Sequence, residues 1–384
     1  MPVRGSAARA AGVRRPAAAA GLVAALLVAG CSGARELPAA PAAPTPSATP
    51  PDDPSASPAP PAGRPSTVTI ALAGDIHFEG PLAVRLRDPA TALAPASHAL
   101  AAADVAIANL ETSVGSGGRP EPGKRYTFSA GPAALTALAA AGLDVAAMAN
   151  NHAVDFGRAR LPSTLRAARR AAGGEPPLAV VGIGADVEQA FAPALVDVDG
   201  TVVATVAASV ADADPTADPT SQWAAGHARP GTADAMDPQR LLRAVRRADA
   251  VADVVVAYLH WGVQGDTCPS PAQRRLAARL VGAGADVVAG SHAHEVQGDG
   301  RLDAGYVAYG LGNFAWYSPG PTGVLTLTVR PPTAPAGRAR VTDTRWWPAT
   351  IGPDGLPRAD TGSAATASAS RRTALRACAG LRAP

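Results

Sequence analysis

Short apolar runs rich in Val, Ile and Ala recur from about residue 67 onward, and Ala-, Leu- and Arg-rich stretches of helical period separate them. The runs predict strands at residues 67–73, 105–109, 145–149, 179–183, 194–198, 202–209, 254–259, 287–289, 306–309 and 324–329. The stretches between them predict helices at residues 81–102, 132–141, 158–172, 238–250 and 271–283. Because strands that alternate with helices pair in parallel and are covered by those helices, the pattern predicts an α/β fold.

One connection breaks this alternation. Asp197-Val198-Asp199-Gly200 joins two predicted strands directly and is typical of a hairpin turn, so we expect mixed sheets. Beyond residue 330 the pattern predicts one more strand at residues 341–351, a polar Ser/Thr/Ala stretch and a short helix at about residues 374–378. We therefore expect one domain over residues 67–330 and a C-terminal extension over residues 331–384 that packs on it, with a partly flexible tail.

The first 31 residues resemble a bacterial lipoprotein signal. Arg4, Arg14 and Arg15 precede an uncharged apolar stretch at residues 16–30, and a Val-Ala-Gly-Cys sequence ends at Cys31. The apolar stretch is too short for an ordinary membrane span, and the small residues give a peptidase access to the backbone. We expect lipidation of Cys31 and anchoring on the extracytoplasmic face of the cell membrane. The alternatives are a signal cleaved without lipidation and an uncleaved anchor.

Residues 32–66 are dominated by Pro, Ala, Ser and Thr and show no apolar periodicity. Such a composition cannot bury a core and predicts a disordered, extended tether between the anchor and the domain.

The composition of the whole chain limits what the core of the domain can consist of. Hydrophobic residues make up 47% of the chain but aromatic residues only 4%, so the core must consist mainly of Val, Leu, Ile and Ala. The net charge is only +3 and the arginines are scattered, which argues against a nucleic-acid interface.

The chain has three cysteines. If Cys31 carries the lipid, Cys268 and Cys378 remain as a pair that an oxidising compartment would allow to form a disulfide. Two free buried thiols are the alternative, because the sequence does not give the Cα distance that a disulfide requires.

Five of the seven histidines lie in short motifs that each follow a predicted strand, and a further motif adds a carboxylate. The motifs are Gly74-Asp75-Ile76-His77, Asn109-Leu110-Glu111, Asn150-Asn151-His152, Leu259-His260-Trp261-Gly262 and Gly290-Ser291-His292-Ala293-His294. Carboxyl ends of strands are where α/β folds build their sites. Each motif alone is weak, since a single histidine near a strand end is more often an ordinary hydrogen-bonded residue. Their joint occurrence predicts a metal site.

Alternate residues of an extended segment project to the same side, so Asp75 with His77, and His292 with His294, can each supply two ligands. Imidazoles, carboxylates and one amide oxygen suit Mn²⁺, Fe or Zn²⁺ better than Ca²⁺. The candidate ligands are Asp75, His77, Glu111, Asn151, His260, His292 and His294. They are too many for one tetrahedral ion, and two divalent ions that share a carboxylate would use them all.

The order of the motifs resembles that of the calcineurin-like metallophosphatase superfamily. The particular form of five motifs narrows the resemblance to the CapA family of capsule-synthesis proteins, which is associated with poly-gamma-glutamate capsules. They are Asn109-Leu110-Glu111, Ala149-Asn150-Asn151-His152 with Asp155-Phe156-Gly157 close behind, Leu259-His260-Trp261-Gly262, Gly290-Ser291-His292-Ala293-His294 and Tyr309-Gly310-Leu311-Gly312-Asn313-Phe314. The resemblance runs from about residue 68 to 314 and implies a four-layer α/β/β/α sandwich of two mixed sheets, with metals where the sheet edges meet.

The resemblance also implies a role for each residue. The first metal would be bound by Asp75, His77 and His294, the second by Asn151, His260 and His292, with Glu111 as the bridge. His152 would be the non-ligand that protonates a leaving oxygen, while a water between the ions attacks phosphorus. Two positions depart from the superfamily pattern: Glu111 replaces the usual bridging Asp, and Ala153 replaces the acidic residue that commonly follows the catalytic His. Asp155 is the candidate to orient His152 instead.

These observations support two functional interpretations. The first is an extracytoplasmic two-metal hydrolase that acts on a phosphoester in capsule or envelope polymer metabolism. The second is a protein that binds, exports or cleaves the amide bonds of an anionic polymer such as poly-gamma-glutamate. A scaffold with a relic site is a third interpretation.

Overall fold

The structure is a computed structural model that describes residues 66–210, 218–334 and 337–383. The predicted signal segment with Cys31, and all of the predicted tether except Ser66, lie outside the described residues, so these interpretations stay predictions. No helix in the described ranges combines the length and the apolar character needed to cross a membrane.

Each predicted strand overlaps a strand of the structure. The strands are β1 (Val68–Ile76), β2 (Val105–Leu110), β3 (Ser113–Val114), β4 (Ser129–Ala130), β5 (Val145–Ala147), β6 (Ala179–Val181), β7 (Ile183–Gly184), β8 (Ala194–Val198), β9 (Thr201–Val210), β10 (Gly231–Thr232), β11 (Val254–Trp261), β12 (Val287–His292), β13 (Asp299–Leu302), β14 (Gly305–Ala308), β15 (Asn313–Ala315), β16 (Gly320–Arg330), β17 (Arg340–Ile351) and β18 (Pro357–Ala359). The α-helices are α1 (Ala94–Leu100), α2 (Ala133–Ala140), α3 (Leu161–Ala172), α4 (Val187–Ala190), α5 (Gln239–Asp249), α6 (Pro271–Ala283) and α7 (Gly362–Ala379).

Two large mixed sheets contain most of these strands. The first sheet has the order β18-β17-β16-β1-β2-β5-β6, with β15 alongside β1, and the second has the order β13-β14-β12-β11-β9-β8. In the first sheet β1, β2, β5 and β6 run parallel up to the edge, and antiparallel strands extend the sheet on the β1 side. In the second sheet the parallel strands are central, and β13 and β8 are antiparallel at the two edges. The predicted hairpin is confirmed, because β8 and β9 pair antiparallel around Asp199 and Gly200, which both have positive φ.

The sheets pack face to face between two layers of helices. Ile70 and Leu72 of β1 belong to the same apolar cluster as Val256 of β11, which places them between the sheets. The alternate residue Ala71 belongs to a second cluster with Leu138 of α2, on the outer face of the first sheet. Helices α5 and α6 cover the outer face of the second sheet. The predicted α/β/β/α arrangement of two mixed sheets is therefore confirmed.

The helix predicted at residues 81–102 is wrong in its extent. Two 3-10 helices, Gly80–Arg87 and Pro89–Thr91, occupy most of that stretch, and only α1 is α-helical. Pro89 has no backbone N–H and restricts the residue before it, so Asp88 adopts φ −130° and ψ 84° and ends the first helix. Pro89 therefore interrupts the helix that the Ala/Leu periodicity of this stretch predicted.

The C-terminal extension joins the first sheet. The predicted strand at residues 341–351 is β17, which pairs along its length with β16. The final helix is longer than predicted, since α7 includes the Ala/Ser/Thr stretch as well. Arg372 and Arg376 hold it to the domain through hydrogen bonds to Asp299. A disulfide joins Cys268 to Cys378 near the end of α7, with a Cα–Cα distance of 5.8 Å.

Candidate metal centre

The carboxyl ends of strands from both sheets meet at one edge of the sandwich. Asp75 lies in β1 and Glu111 directly follows β2 in the first sheet, whereas His260 and His292 lie near the ends of β11 and β12 in the second. The backbone N–H of His292 donates to Oδ2 of Asp75 at 3.1 Å and so links the two sheets. All four side chains are buried. The site therefore lies where the parallel strands of an α/β fold converge.

The donor atoms form two groups that share one residue. Donor atoms of Asp75, Glu111 and His294 lie within 4.8 Å of one another, as do those of Glu111, His260 and His292. Two donors that bind one ion at about 2.1 Å in tetrahedral geometry lie about 3.4 Å apart. Nε2 of His260 lies 3.0 Å from Nδ1 of His292 and 3.6 Å from Oε1 of Glu111. Nδ1 of His294 lies 3.5 Å from Oδ2 of Asp75.

Glu111 is the shared residue. Its side chain is 0% exposed, and neither carboxylate oxygen has a hydrogen-bond partner among the described residues. Burial raises the pKa of Glu111 well above 4.5, and the charge of Asp75 raises it further. A buried carboxylate without partners is unfavourable unless a cation or a proton neutralises it. Glu111 therefore fits the role of a cation-binding carboxylate that the two donor groups share.

The pKa values of the other donors show how closely the groups are coupled. Burial alone would raise the pKa of Asp75, but its hydrogen bond with His294 and the nearby His260 bring that pKa below its usual range. Burial lowers the pKa of His260 well below 6.5, and His292 contributes in the same direction. A neutral imidazole is the form that binds a metal.

Two asparagines complete the polar network. Oδ1 of Asn151 lies 2.7 Å from Nε2 of His260, which places Asn151 beside the second group. Nδ2 of Asn109 donates to Oδ1 of Asp75 at 2.7 Å and lies 3.2 Å from Nδ1 of His260. Asn109 also accepts a hydrogen bond from Asn150. Sequence reasoning did not assign this linking role to Asn109, although Asn109 was part of the carboxylate motif.

His77 lies close to the centre but outside both groups. Its Nδ1 accepts a hydrogen bond from the backbone N–H of Glu79 at 2.9 Å, and its Nε2 lies 3.4 Å from the backbone nitrogen of Tyr317. Burial, with His152 and His294 nearby, lowers the pKa of His77 to about 3. Its role as a ligand of the first metal stays a prediction.

His152 and Asp155 form a buried pair beside Glu111. Nδ1 of His152 lies 2.6 Å from Oδ2 of Asp155, and because an ionised carboxylate only accepts, Nδ1 is the donor. Nε2 then faces Oε1 of Glu111 at 3.7 Å. Burial lowers the pKa of His152, while the hydrogen bond to Asp155 opposes that effect. The ring of Phe128 stacks on His152 with centroids 4.0 Å apart. Asp155 thus lies where it can orient His152.

Lys124 is a residue of the site that the sequence pattern did not predict. Its side chain is 2% exposed, and its Nζ contacts a carboxylate oxygen of Asp155 and the backbone carbonyl of Asn151. The same nitrogen lies 4.4 Å from the ring centroid of Trp223. One sequence signal was present: Lys124 is the only lysine of the chain, which otherwise uses arginine at its basic positions.

The H-x-H segment does not have the extended geometry assumed for it. His292 and His294 have φ values of 96° and 57°, so the two rings point into different donor groups. Nδ1 of His294 also lies 2.8 Å from Oδ1 of Asn313.

Gly74 lets β1 lie close to the backbone of Gly312. A Cβ at position 74 would clash with the carbonyl oxygen of Gly312, so a glycine is required there.

The donor set fits divalent transition-metal ions. Carboxylate oxygens, imidazole nitrogens and one amide oxygen at these separations are ligands for Mn²⁺, Fe or Zn²⁺. A cavity of about 430 Å³ opens onto the centre, and its lining includes Asn151, His152 and His294. The cavity therefore reaches the centre at His294 of the first donor group and at Asn151 beside the second.

The fold is a four-layer sandwich with a candidate metal centre at the ends of its parallel strands. Residues 69–318 match the protein family described as "Bacterial capsule synthesis protein PGA_cap". This match covers more than half of the chain, and the chain belongs to that family.

Two curated relatives have names in agreement with the family. The chain is 33% identical over 197 residues to the "Capsule biosynthesis protein CapA" of Bacillus anthracis, covering 50% of this chain and 45% of that protein. It is 32% identical over 245 residues to a "Probable polyglutamine synthesis accessory protein" of Mycobacterium tuberculosis, covering 60% of each. The chain therefore spans only about half the length of the curated relatives it matches. A solved phosphatase from Mycoplasma pneumoniae overlaps 74% of this chain and 94% of its own, with 11% identity and a TM-score of 0.45.

Proposed function

We propose that this chain is an extracytoplasmic hydrolase that uses two divalent transition-metal ions to cleave a phosphoester in capsule or cell-envelope polymer metabolism. The observation that carries the proposal is Glu111, a fully buried carboxylate that belongs to both donor groups and has no hydrogen-bond partner among the described residues. One ion would be held by Asp75, His77 and His294. The other would be held by Asn151, His260 and His292, and Glu111 would bind both.

When bound, the ions would lower the pKa of a shared water and polarise the bond to be broken. The chain's own residues supply positioning and proton transfer. With Nδ1 of His152 donating to Asp155, the ring presents Nε2 toward Glu111, where it can deliver a proton to a leaving oxygen. Phe128 stacks on the ring and limits its rotation. Asn109 contacts both Asp75 and His260, and these contacts fix the position of one donor group relative to the other.

Elemental analysis of the purified protein, followed by assay with an aryl phosphodiester, tests this proposal. We expect about two transition-metal ions per chain and turnover that His152→Ala abolishes without loss of metal. Metal retained with no turnover on phosphomonoesters, phosphodiesters or amides would contradict the hydrolase proposal. Metal-free protein that takes up none on incubation would contradict the centre itself.

A second candidate function is the binding, export or amide cleavage of an anionic polymer such as poly-gamma-glutamate. Lys124 and Arg125 line the cavity, and its described lining residues include no Asp or Glu. The names of the curated relatives, which refer to capsule and polyglutamine synthesis, favour the same candidate. Titration with poly-gamma-glutamate and with a phosphodiester separates the two functions, and indifference to the polyglutamate would count against this candidate.

The location of the protein is part of the proposal. Cys31 at the end of the N-terminal apolar stretch is the proposed lipidation site, and the Pro/Ala-rich residues after it would hold the domain away from the membrane. Fractionation of cells that express the full chain tests this. We expect the wild type in the membrane fraction and Cys31→Ser in the soluble fraction, whereas identical distributions would contradict the lipid anchor.

A further inference from the structure

Aromatic residues concentrate at the cavity that opens onto the metal centre. The chain has five tryptophans, five tyrosines and five phenylalanines, and four of these line the cavity: Tyr126, Phe128, Trp316 and Tyr317. Phe128 and Trp316 are buried and pack on His152 and His77. They therefore serve the centre itself.

Tyr126 and Tyr317 differ because they are exposed. Their exposed fractions are 55% and 40%, and the other large exposed hydrophobic side chains of the described residues are aliphatic. The Cζ atom of Arg125 lies 5.1 Å from the ring centroid of Tyr126. Exposed tyrosines offer a rigid face with an apolar surface and a polar hydroxyl at low entropic cost, a combination that is enriched in binding sites. One side of the Tyr317 ring packs near His77 and Trp316, with centroids 4.8 and 5.5 Å apart, and the rest of the ring stays open to solvent at the cavity.

We propose that Arg125, Tyr126 and Tyr317 form a substrate subsite that takes the ring of a sugar beside the anionic group delivered to the centre. This proposal rests on the proposed function and names its substrate class as a sugar-bearing phosphoester. A pyranose ring has an apolar face that stacks on tyrosine and hydroxyls that reach polar groups, whereas a γ-glutamyl chain has planar amides but no ring with an apolar face. The guanidinium of Arg125 pairs with the phosphate. A poly-gamma-glutamate site would need the cations but not the two exposed rings.

Binding of three ligands to metal-loaded protein tests the subsite without need of turnover. The ligands are glucose 1-phosphate, glycerol 1-phosphate and a γ-linked glutamate oligomer, and tryptophan fluorescence with Trp316 in the cavity wall reports on binding. We expect glucose 1-phosphate to bind about tenfold more tightly than glycerol 1-phosphate. Tyr126→Ala and Tyr317→Ala should each weaken binding of glucose 1-phosphate more than binding of glycerol 1-phosphate, and so remove most of that difference. Met236→Ala, at an exposed residue outside the cavity, is the matched control.

Two outcomes would overturn the subsite. The first is equal binding of glucose and glycerol phosphates, and the second is a γ-glutamate oligomer that binds most tightly and is insensitive to both tyrosine substitutions. Failure of the proposed function itself is distinguishable from failure of the subsite, because it would appear as a wild-type protein without metal or without turnover. A wild type that holds metal and turns over but shows no preference for the sugar ring contradicts the subsite alone.

An independent observation concerns Lys124. It is the only lysine in a chain with 34 basic Lys and Arg residues, and it is almost completely buried. Its nitrogen contacts the Asp155 carboxylate and the Asn151 carbonyl of one turn, and the Trp223 ring of a distant chain segment. A compact ammonium with three donors suits such a site better than a planar guanidinium.

We infer that Lys124 is a positioning residue for proton transfer by His152. Its ammonium binds one carboxylate oxygen of Asp155, and the other oxygen of that carboxylate holds Nδ1 of His152, so Lys124 acts on the ring through Asp155. If so, the effects of Lys124→Met and Asp155→Asn on kcat should not add, because each disrupts the same unit. We expect each single variant to lower kcat, the double variant to be no slower than Asp155→Asn, and KM and metal content to stay near wild type.

A simple structural role predicts a different pattern. In that case the two substitutions would lower kcat independently and the double variant would show the product of both losses, which would overturn the inference. Lys124→Arg keeps the charge and serves as a second variant if Lys124→Met does not fold. We expect Lys124→Arg to recover only part of the kcat that Lys124→Met loses, since the larger guanidinium group cannot make all three contacts. Full recovery of kcat would show that a lysine is not required at this position.

Discussion

Nδ1 of His152 lies 2.6 Å from Oδ2 of Asp155, and this contact leaves Nε2 as the nitrogen that faces Glu111. The position after His152 is Ala153, so the orienting carboxylate comes from one turn further along the chain. The pair is buried and is further fixed by the backbone N–H of Phe128, which donates to Oδ2 of Asp155 at 2.6 Å.

Replacement of Asp155 should affect turnover and spare metal binding. Asp155→Asn removes the charged acceptor, so the ring of His152 no longer has a preferred tautomer. By comparison with other oriented histidines we expect kcat to fall by about 10²- to 10⁴-fold with unchanged metal content. Steady-state kinetics and elemental analysis check this. Asp354→Asn, in an exposed ion pair with Arg358, is the control, and equal activity of the two variants would refute the role of Asp155.

Metal binding should displace a proton from Glu111. Burial raises the pKa of Glu111 well above 4.5, so the metal-free protein still holds a proton there in a pH window above 4.5, where an ordinary carboxyl group is ionised. Cations need the ionised carboxylate, and metal affinity should therefore rise with pH through this window. Infrared difference spectra on addition of Mn²⁺ at mildly acidic pH should show loss of a protonated-carboxyl band.

Glu111→Gln is the control for that spectrum, because the amide cannot carry the band. The same band in the Glu111→Gln protein, or a metal affinity that does not change with pH, would show that Glu111 is not the displaced acid. The buried His260 contributes little to proton release, since burial already keeps its pKa well below 6.5.

The disulfide should contribute substantially to stability. Cys268 and Cys378 are 110 residues apart in the chain. Closing a loop of about that length lowers the entropy of the unfolded state, which stabilises the folded state by about 4 to 5 kcal/mol at 25 °C in the chain-entropy estimate. Cys378→Ser should lower the free energy of unfolding by several kcal/mol in urea titrations under oxidising conditions. A reducing agent should destabilise the wild type and leave this variant unchanged. Equal sensitivity of both proteins would indicate that the thiols are not joined.

The convergence of the metal-ligand candidates could be predicted from the sequence. Asp75, Glu111, His260 and His292 each follow an apolar run, and carboxyl ends of parallel strands share an edge, so the pattern was sufficient to bring them together. The hairpin at Asp199 was equally predictable, since its turn residues have a specific backbone preference.

Other features depend on information that a sequence pattern does not contain. The 115–128 segment that carries Lys124 has many glycines and prolines and no periodicity, so its path across the centre could not be inferred. His77 was expected to be directed by strand alternation, but β1 shows a register irregularity near Asp75 and the backbone of Glu79 binds the ring nitrogen. Local geometry of this kind is decided by tertiary contacts rather than by residue type.

The most direct test of the central claim is anomalous diffraction from crystals of the protein grown with Mn²⁺. The account predicts two anomalous peaks about 3.5–4 Å apart, with one oxygen of Glu111 close to each. A single peak, or two peaks of which neither contacts Glu111, would contradict the shared-carboxylate centre on which the proposed hydrolase depends.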